Sequence, residues 1–220
     1  MQNEKIDEFA QKNRNGIFIF MGVIIVALVG FVVFLFVQDN LLKKGISEVE
    51  ELNIRLLELN IEQDNQEFVS SDPGKIDELL AEIESFAKRK WGYPAGRAWA
   101  LVGQIHAKRE EWPQAQEAWE KAAKSASKTF LAPTAYFNAA AAAEEQGKKD
   151  EAIGLYKNCV SQNMDFPAAP RAQFSIGRLN EELGNVPAAV EAYRVILSRW
   201  PSIAVWANMA QSRIAVIEVQ

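Results

Sequence analysis

RAWALVGQIHAKREEWPQAQEAWEKAAKS, residues 97–125, returns twice more along the chain at an interval of 37 residues. The second copy is TAYFNAAAAAEEQGKKDEAIGLYKNCVSQ (134–162) and the third RAQFSIGRLNEELGNVPAAVEAYRVILSR (171–199). Small residues recur at Gly103, Ala140 and Gly177, and alanines at Ala115, Ala152 and Ala189. Four residues after each alanine comes an aromatic, Trp119, Tyr156 or Tyr193, and then an apolar Ala122, Cys159 or Ile196. A fixed period of this length marks stacked supersecondary units, none of which buries its apolar face alone.

Each copy divides into two helices. Pro94, Pro133 and Pro170 sit near the start of the first, where a missing N–H costs nothing, and Pro113, Asp150 and Pro187 open the second. The turn between them holds Gly147 and Gly184 in two copies and Glu110 in the first. Gly103, Ala140 and Gly177 let helix A approach helix B closely, and the aromatic of helix B fills the space beside the next repeat. The flanks continue the scheme. Apolar positions in 202–219 (Ile203, Val205, Trp206, Met209, Ala210, Ile214, Ile217) predict a capping helix. Residues 75–88 read as helix B of a degenerate pair. Its A partner, 46–61, has Val49, Leu52, Leu56 and Leu59 on one side, a seam open to either a solenoid helix or a short coiled coil. A polar turn at Ser70–Gly74 separates the two.

Ahead of the repeats, Ile17–Val37 is a 21-residue run without a charge, IFIFMGVIIVALVGFVVFLFV. As a helix it would be about 31 Å long, matching a hydrocarbon core of about 30 Å. The exit, Phe34-Leu35-Phe36-Val37-Gln38-Asp39, lacks the small residues of a signal cleavage site. Lys5, Lys12, Arg14 and the amino terminus before the run, against Lys43 and Lys44 after it, lean towards a cytoplasmic N-terminus. The organisation expected is a tail (1–16), a transmembrane helix (17–37), a juxtamembrane helix and linker (38–74), and a solenoid (75–220) with repeats at about 95–130, 132–167 and 169–201. The fold class is all-α.

Chemistry is sparse. A formal charge of −5 gives no footprint for nucleic acid, and one cysteine with one histidine excludes an intrachain disulfide and a Cys/His zinc site. His106 falls at a packing position and Cys159 at a small-residue position. Glu144-Glu145 and Glu181-Glu182 are neighbours on a helix and do not face each other as an acid–base couple would. With no Gly-rich phosphate loop either, an enzyme, a cofactor and a small-molecule substrate are not expected.

The first copy's Trp99-x2-Val102-Gly103-x2-His106 and Ala115-x3-Trp119-x2-Ala122, with Pro201 closing the third, resemble the tetratricopeptide repeat signature, at 37 residues instead of 34. The resemblance implies a solenoid that binds protein segments in a concave groove lined by helix A. Carried over by register, that groove comprises Arg97, Ala100, Gln104, Lys108, Phe137, Glu144, Arg171, Phe174 and Arg178. Phe137 and Phe174 occupy a position that the helix pair does not require for its own packing, and Arg97, Arg171 and Arg178 suit a carboxylate-bearing partner. Ala100 and Gln104 stand where the chaperone-gripping clamp of this family has Lys and Asn, which argues against that subtype. A short tail, one span and an outward repeat array also resemble the ancillary repeat subunit of the bacterial Sec translocon. That likeness implies an inner-membrane adaptor with a periplasmic repeat domain serving chaperones or clients. The alternative is a scaffold part of a larger envelope assembly, such as a flagellar-motor collar or a division complex.

Overall fold

A computed structural model describes residues 14–61, 73–163 and 165–219; most of the expected tail and residues 70–72 of the expected polar turn lie outside them. The described residues form nine helices and no strand: α1 (Arg14–Ile61), α2 (Pro73–Arg89), α3 (Gly92–Lys108), α4 (Trp112–Ser125), α5 (Leu131–Glu145), α6 (Lys149–Gln162), α7 (Ala169–Glu182), α8 (Val186–Arg199) and α9 (Ala204–Val219). The chain divides into two compact units, 1–45 and 46–220.

In the first unit the helix is apolar on every side from Phe18 to Val37. From Phe18 to Val37 the side chains are exposed, and this is one helix long and apolar enough to cross a membrane. A helix without a polar stripe has no face to turn towards water.

From α2 onward each helix of the second unit packs on the next in sequence. Loops of two to six residues make these consecutive helices antiparallel neighbours. The helix pairs are α3–α4, α5–α6 and α7–α8, and α9 follows as a single helix. The N-terminal segment joins the same scheme. Val49, Leu52 and Leu56 are buried in one cluster with Ile76, Leu79 and Ile83, so the seam is occupied by the chain's own α2. Arg55 pairs with Glu82 and Lys90 with Glu48; the falling number on one side against the rising number on the other marks an antiparallel pair.

The small positions do what their size requires. A Cβ on Gly103 would lie 2.6 Å from the Trp119 ring and one on Gly177 2.4 Å from the Tyr193 ring. Gly96 is tighter in kind, because an added Cβ would stand 2.5 Å from Ala126 Cβ and 2.9 Å from the Ala122 carbonyl oxygen. Ala139, Ala140, Ala142 and Ala143 are buried in the middle cluster, where they act as packing surface.

Three A helices end in the same hydrogen-bonded turn. In α5, Gly147 N–H donates to Glu144 O and Lys148 N–H to Ala143 O; in α7, Gly184 donates to Glu181 O and Asn185 to Asn180 O. In α3, Glu110 donates to Ala107 O and Glu111 to His106 O. This is the Schellman pattern, whose first residue beyond the helix is left-handed. Gly147 and Gly184 adopt φ of 71° and 76°, and Glu110 adopts 59°.

Antiparallel pairing segregates charge. A-helix N-termini and B-helix C-termini share one edge, the A–B turns the other. The turn edge (108–111, 144–151 and 181–182) carries Glu110, Glu111, Glu144, Glu145, Asp150, Glu151, Glu181 and Glu182 against Lys108, Arg109, Lys148 and Lys149, a net acidic balance. Across 86–95, 122–132, 159–169 and 196–206, the junctions from B to A, the one acidic residue is Asp165. There the charges are otherwise Lys88, Arg89, Lys90, Lys124, Lys128 and Arg199.

Candidate binding face

The exposed sides of α3, α5, α7 and α9 line up in rows. The sequence repeat sets an offset of 37 residues between the first three helices; between the last two it falls to 35. Contacts support the shorter step. The Arg171 guanidinium lies 5.1 Å over the Phe137 ring, and Trp206, 35 residues on, lies 5.6 Å from the Phe174 ring. One row therefore reads Arg97, Thr134, Arg171, Trp206. The next reads Ala100, Phe137, Phe174, Met209, and the third Gln104, Ala141, Arg178, Arg213. A fourth reads Ala107, Glu144, Glu181, Val216.

A hydrogen-bonded joint recurs across these rows. Tyr156 Oη donates to Glu144 at 2.7 Å, and Arg178 of the following A helix also donates to Glu144. One repeat later Tyr193 Oη donates to Glu181 at 3.1 Å, and Arg213 of α9 donates to Glu181. The carboxylate thus ties its own helix B to the next helix A. Burial, reinforced by Glu181, pushes the Tyr193 phenol up to about 12; Tyr156 is raised for the same reasons through Glu144. Glu182 is held below the usual carboxylate range by its hydrogen bonds from Lys149 and Arg178. In the first repeat the three corresponding positions are Trp119, Ala107 and Ala141, and the joint is absent as a whole. A polar cluster spans that junction instead: Gln146 Nε2 donates to Gln116 Oε1 at 2.9 Å, and Gln116 Nε2 to Glu151 at 2.8 Å.

This geometry revises two expectations. Phe137 and Phe174 are needed by their own helix pairs: each packs on the helix-B tyrosine, Phe137 edge-on to Tyr156 at 5.3 Å and Phe174 against Tyr193 at 5.2 Å. Two of the three arginines are spoken for within the chain. Arg97 pairs with Glu50 at 3.1 Å and Arg178 with both Glu144 and Glu182. Arg171 differs. Its side chain is exposed, and it has no carboxylate partner among the described residues. Gln104 and Lys108 are exposed, and Ala100 is half-buried.

The structure therefore brings Phe137, Glu144, Arg171, Phe174 and Arg178 together, with Arg97 set apart beside α1. It adds Glu181, Glu182, Arg213, Trp206 and Met209. A depression of about 430 Å³ is lined by Phe174, Arg178, Glu181, Glu182, Tyr193 and Arg213. Glu181 and Glu182 were visible as the register partners of Glu144 and Glu145; the α9 residues were hidden by the shortened last step. His106 is half-buried, and its Nδ1 lies 2.5 Å from Glu111 Oε2. Burial pushes the Cys159 thiol up to about 12, which suppresses the thiolate its reactivity would need. Among the described residues no three His, Cys, Asp or Glu side chains are grouped to hold a metal.

Comparison with known proteins agrees with this architecture. The profile of the tetratricopeptide repeat matches residues 101–158 and 160–202. A TPR repeat-containing protein of Treponema pallidum (strain Nichols) is 41% identical over 152 residues, covering 68% of this chain. The chain spans 63% of that relative's length. The chain carries tetratricopeptide repeats, which are protein-interaction modules.

Proposed function

We propose that this protein is a membrane-anchored adaptor that holds an acidic or carboxylate-bearing protein segment on its helix-A face, outside a bacterial inner membrane. The observation that carries the reading is Arg171. It is an exposed guanidinium lying 5.1 Å over the Phe137 ring, with no carboxylate of its own among the described residues. An arginine held over an aromatic ring by cation–π attraction keeps its hydrogen-bonding fork free for a carboxylate, which it can grip with two donors. Arg171 also lies in the first turn of α7, where a cation is disfavoured by the helix dipole; a partner carboxylate would remove that penalty. The exposed apolar helix supports the anchor, and the basic residues ahead of it support the orientation. The Sec translocon or a chaperone serving it is the partner that this organisation suits. Placement as a scaffold part of a larger envelope assembly draws support from Val205, Met209 and Val216, which leave apolar surface exposed on α9.

Photocrosslinking tests the reading. A crosslinker at Gln104 should capture a protein in native membranes, and Arg171→Glu should abolish capture while leaving helicity and thermal unfolding unchanged. Capture that survives Arg171→Glu, or that occurs only from an outer helix-B position such as Lys157, would sink the groove reading. Motor or scaffold components in place of translocon subunits would promote the second reading.

A further inference from the structure

The edge of the solenoid at the B-to-A junctions is basic and aromatic, while the opposite edge mixes both signs with a net acidic balance. Trp91 is 58% and Phe130 72% exposed, a large outlay of apolar surface for two junction residues. Tyr93 lies against Phe130 at 5.6 Å, so the two junctions share one aromatic patch. Phe166 and Trp200 are half-buried at the two later junctions. Lys88 and Lys124 are held by exposed bridges to Glu84 and Glu120 one turn back, weak contacts that exchange readily for another anion. Lys128 has no partner among the described residues.

Tryptophan, tyrosine and phenylalanine beside lysine and arginine are the side chains that settle at a bilayer's headgroup level, rings among the upper acyl chains and cations on phosphate. The chain enters the unit on this same edge: Glu48, two residues past Ile46, pairs with Lys90 of the first junction at 2.5 Å. Eight residues, 38–45, separate the apolar run from Ile46, and they reach at most about 28 Å in any conformation. We infer that the B-to-A edge, through Trp91, Tyr93, Phe130 and the lysines and arginines beside them, rests on the surface of an anionic lipid bilayer. This rests on the membrane-anchored reading. It leaves the acidic edge directed to water.

The test uses the full chain in lipid nanodiscs, neutral or containing anionic phospholipid, with a spin label at Phe130→Cys or, as a control, at Glu145→Cys on the opposite edge. Cys159 is buried and escapes labelling. The expected result is that the label at 130 becomes more accessible to oxygen than to a water-soluble nickel complex in anionic discs. The bias should weaken in neutral discs and in Arg89→Gln/Lys128→Gln, and the label at 145 should remain aqueous throughout. An aqueous label at 130 in discs of both kinds would overturn the inference alone, as would protection at 130 seen only in native membranes, which would indicate a protein on this edge. Failure of the chain to float with the discs would overturn the anchored reading along with it.

Discussion

Glu110 occupies a turn that glycine occupies in the two later repeats, and replacing it with glycine should stabilise the protein. Its φ of 59° compares with 71° and 76° at Gly147 and Gly184, and the same pair of backbone hydrogen bonds closes all three turns. The left-handed conformation costs an L-residue roughly 1–2 kcal/mol. Glycine removes that strain but returns about 0.4–1 kcal/mol through the greater freedom of the unfolded chain. The net gain for Glu110→Gly is then about 0.5–1 kcal/mol. At roughly 2–4 °C per kcal/mol for a domain of this size, the midpoint should rise by about 1–4 °C. The carboxylate also stands beyond a helix C-terminus, so Glu110→Ala separates the two causes: it removes the charge and keeps the strain. The converse change is Gly147→Ala. A Cβ there meets nothing within 4 Å, so any loss is conformational and should be of similar size with opposite sign. Thermal unfolding of the full chain followed by circular dichroism reads all three. A fall in midpoint for Glu110→Gly, or an equal rise for Glu110→Ala, would refute the backbone argument.

Two further outcomes follow from packing and ionisation. Gly96→Ala gains about 1 kcal/mol of helix propensity, yet its Cβ meets a backbone carbonyl that cannot swing aside. Overpacking of this kind costs about 1–3 kcal/mol, so denaturant titration should show a net loss, whereas a gain would mean that α3 and α4 move apart freely. The Tyr193 phenol is raised above its ordinary value of 10, to about 12. Its contribution is therefore complete below pH 10 and is lost as pH rises towards 12. Tyr193→Phe should flatten the fall of stability across that alkaline window, and an unchanged slope would show that the phenol titrates there without linkage to folding.

The repeat was legible because packing repeats: Gly103, Ala140 and Gly177 must be small where Trp119, Tyr156 and Tyr193 must be large, and both sets recur in register. The groove was legible only as positions. Register placed Arg178 on the helix-A face, but its engagement by Glu144, 34 residues earlier, depends on side-chain reach across a junction, which periodicity does not encode. The same blindness assigned Phe137 to a partner when Tyr156 already held it. The extension of the face into α9 was hidden for a different reason. The last step shortens to 35 residues, which shifts Trp206, Met209 and Arg213 out of the alignment that the first two steps set. The N-terminal helix pair was legible from its apolar spacing, but the choice between a solenoid helix and a coiled-coil seam for 46–61 needed Val49, Leu52 and Leu56 seen against α2.

The joints formed by Tyr156, Glu144 and Arg178, and by Tyr193, Glu181 and Arg213, also constrain how such a sequence can drift. A carboxylate between a phenol and a guanidinium is stable in that company; deprived of either neighbour, it leaves a polar group short of a partner in a crowded place. Tyrosine, glutamate and arginine should therefore be gained or lost together, although they lie in three different helices. The first repeat, with Trp119, Ala107 and Ala141, is the other permitted state: none of the three is present, and the Gln116–Gln146 pair spans the junction in their place. Intermediates between the two states pass through a less stable protein, so homologous junctions should fall into one class or the other, with few mixtures of the two.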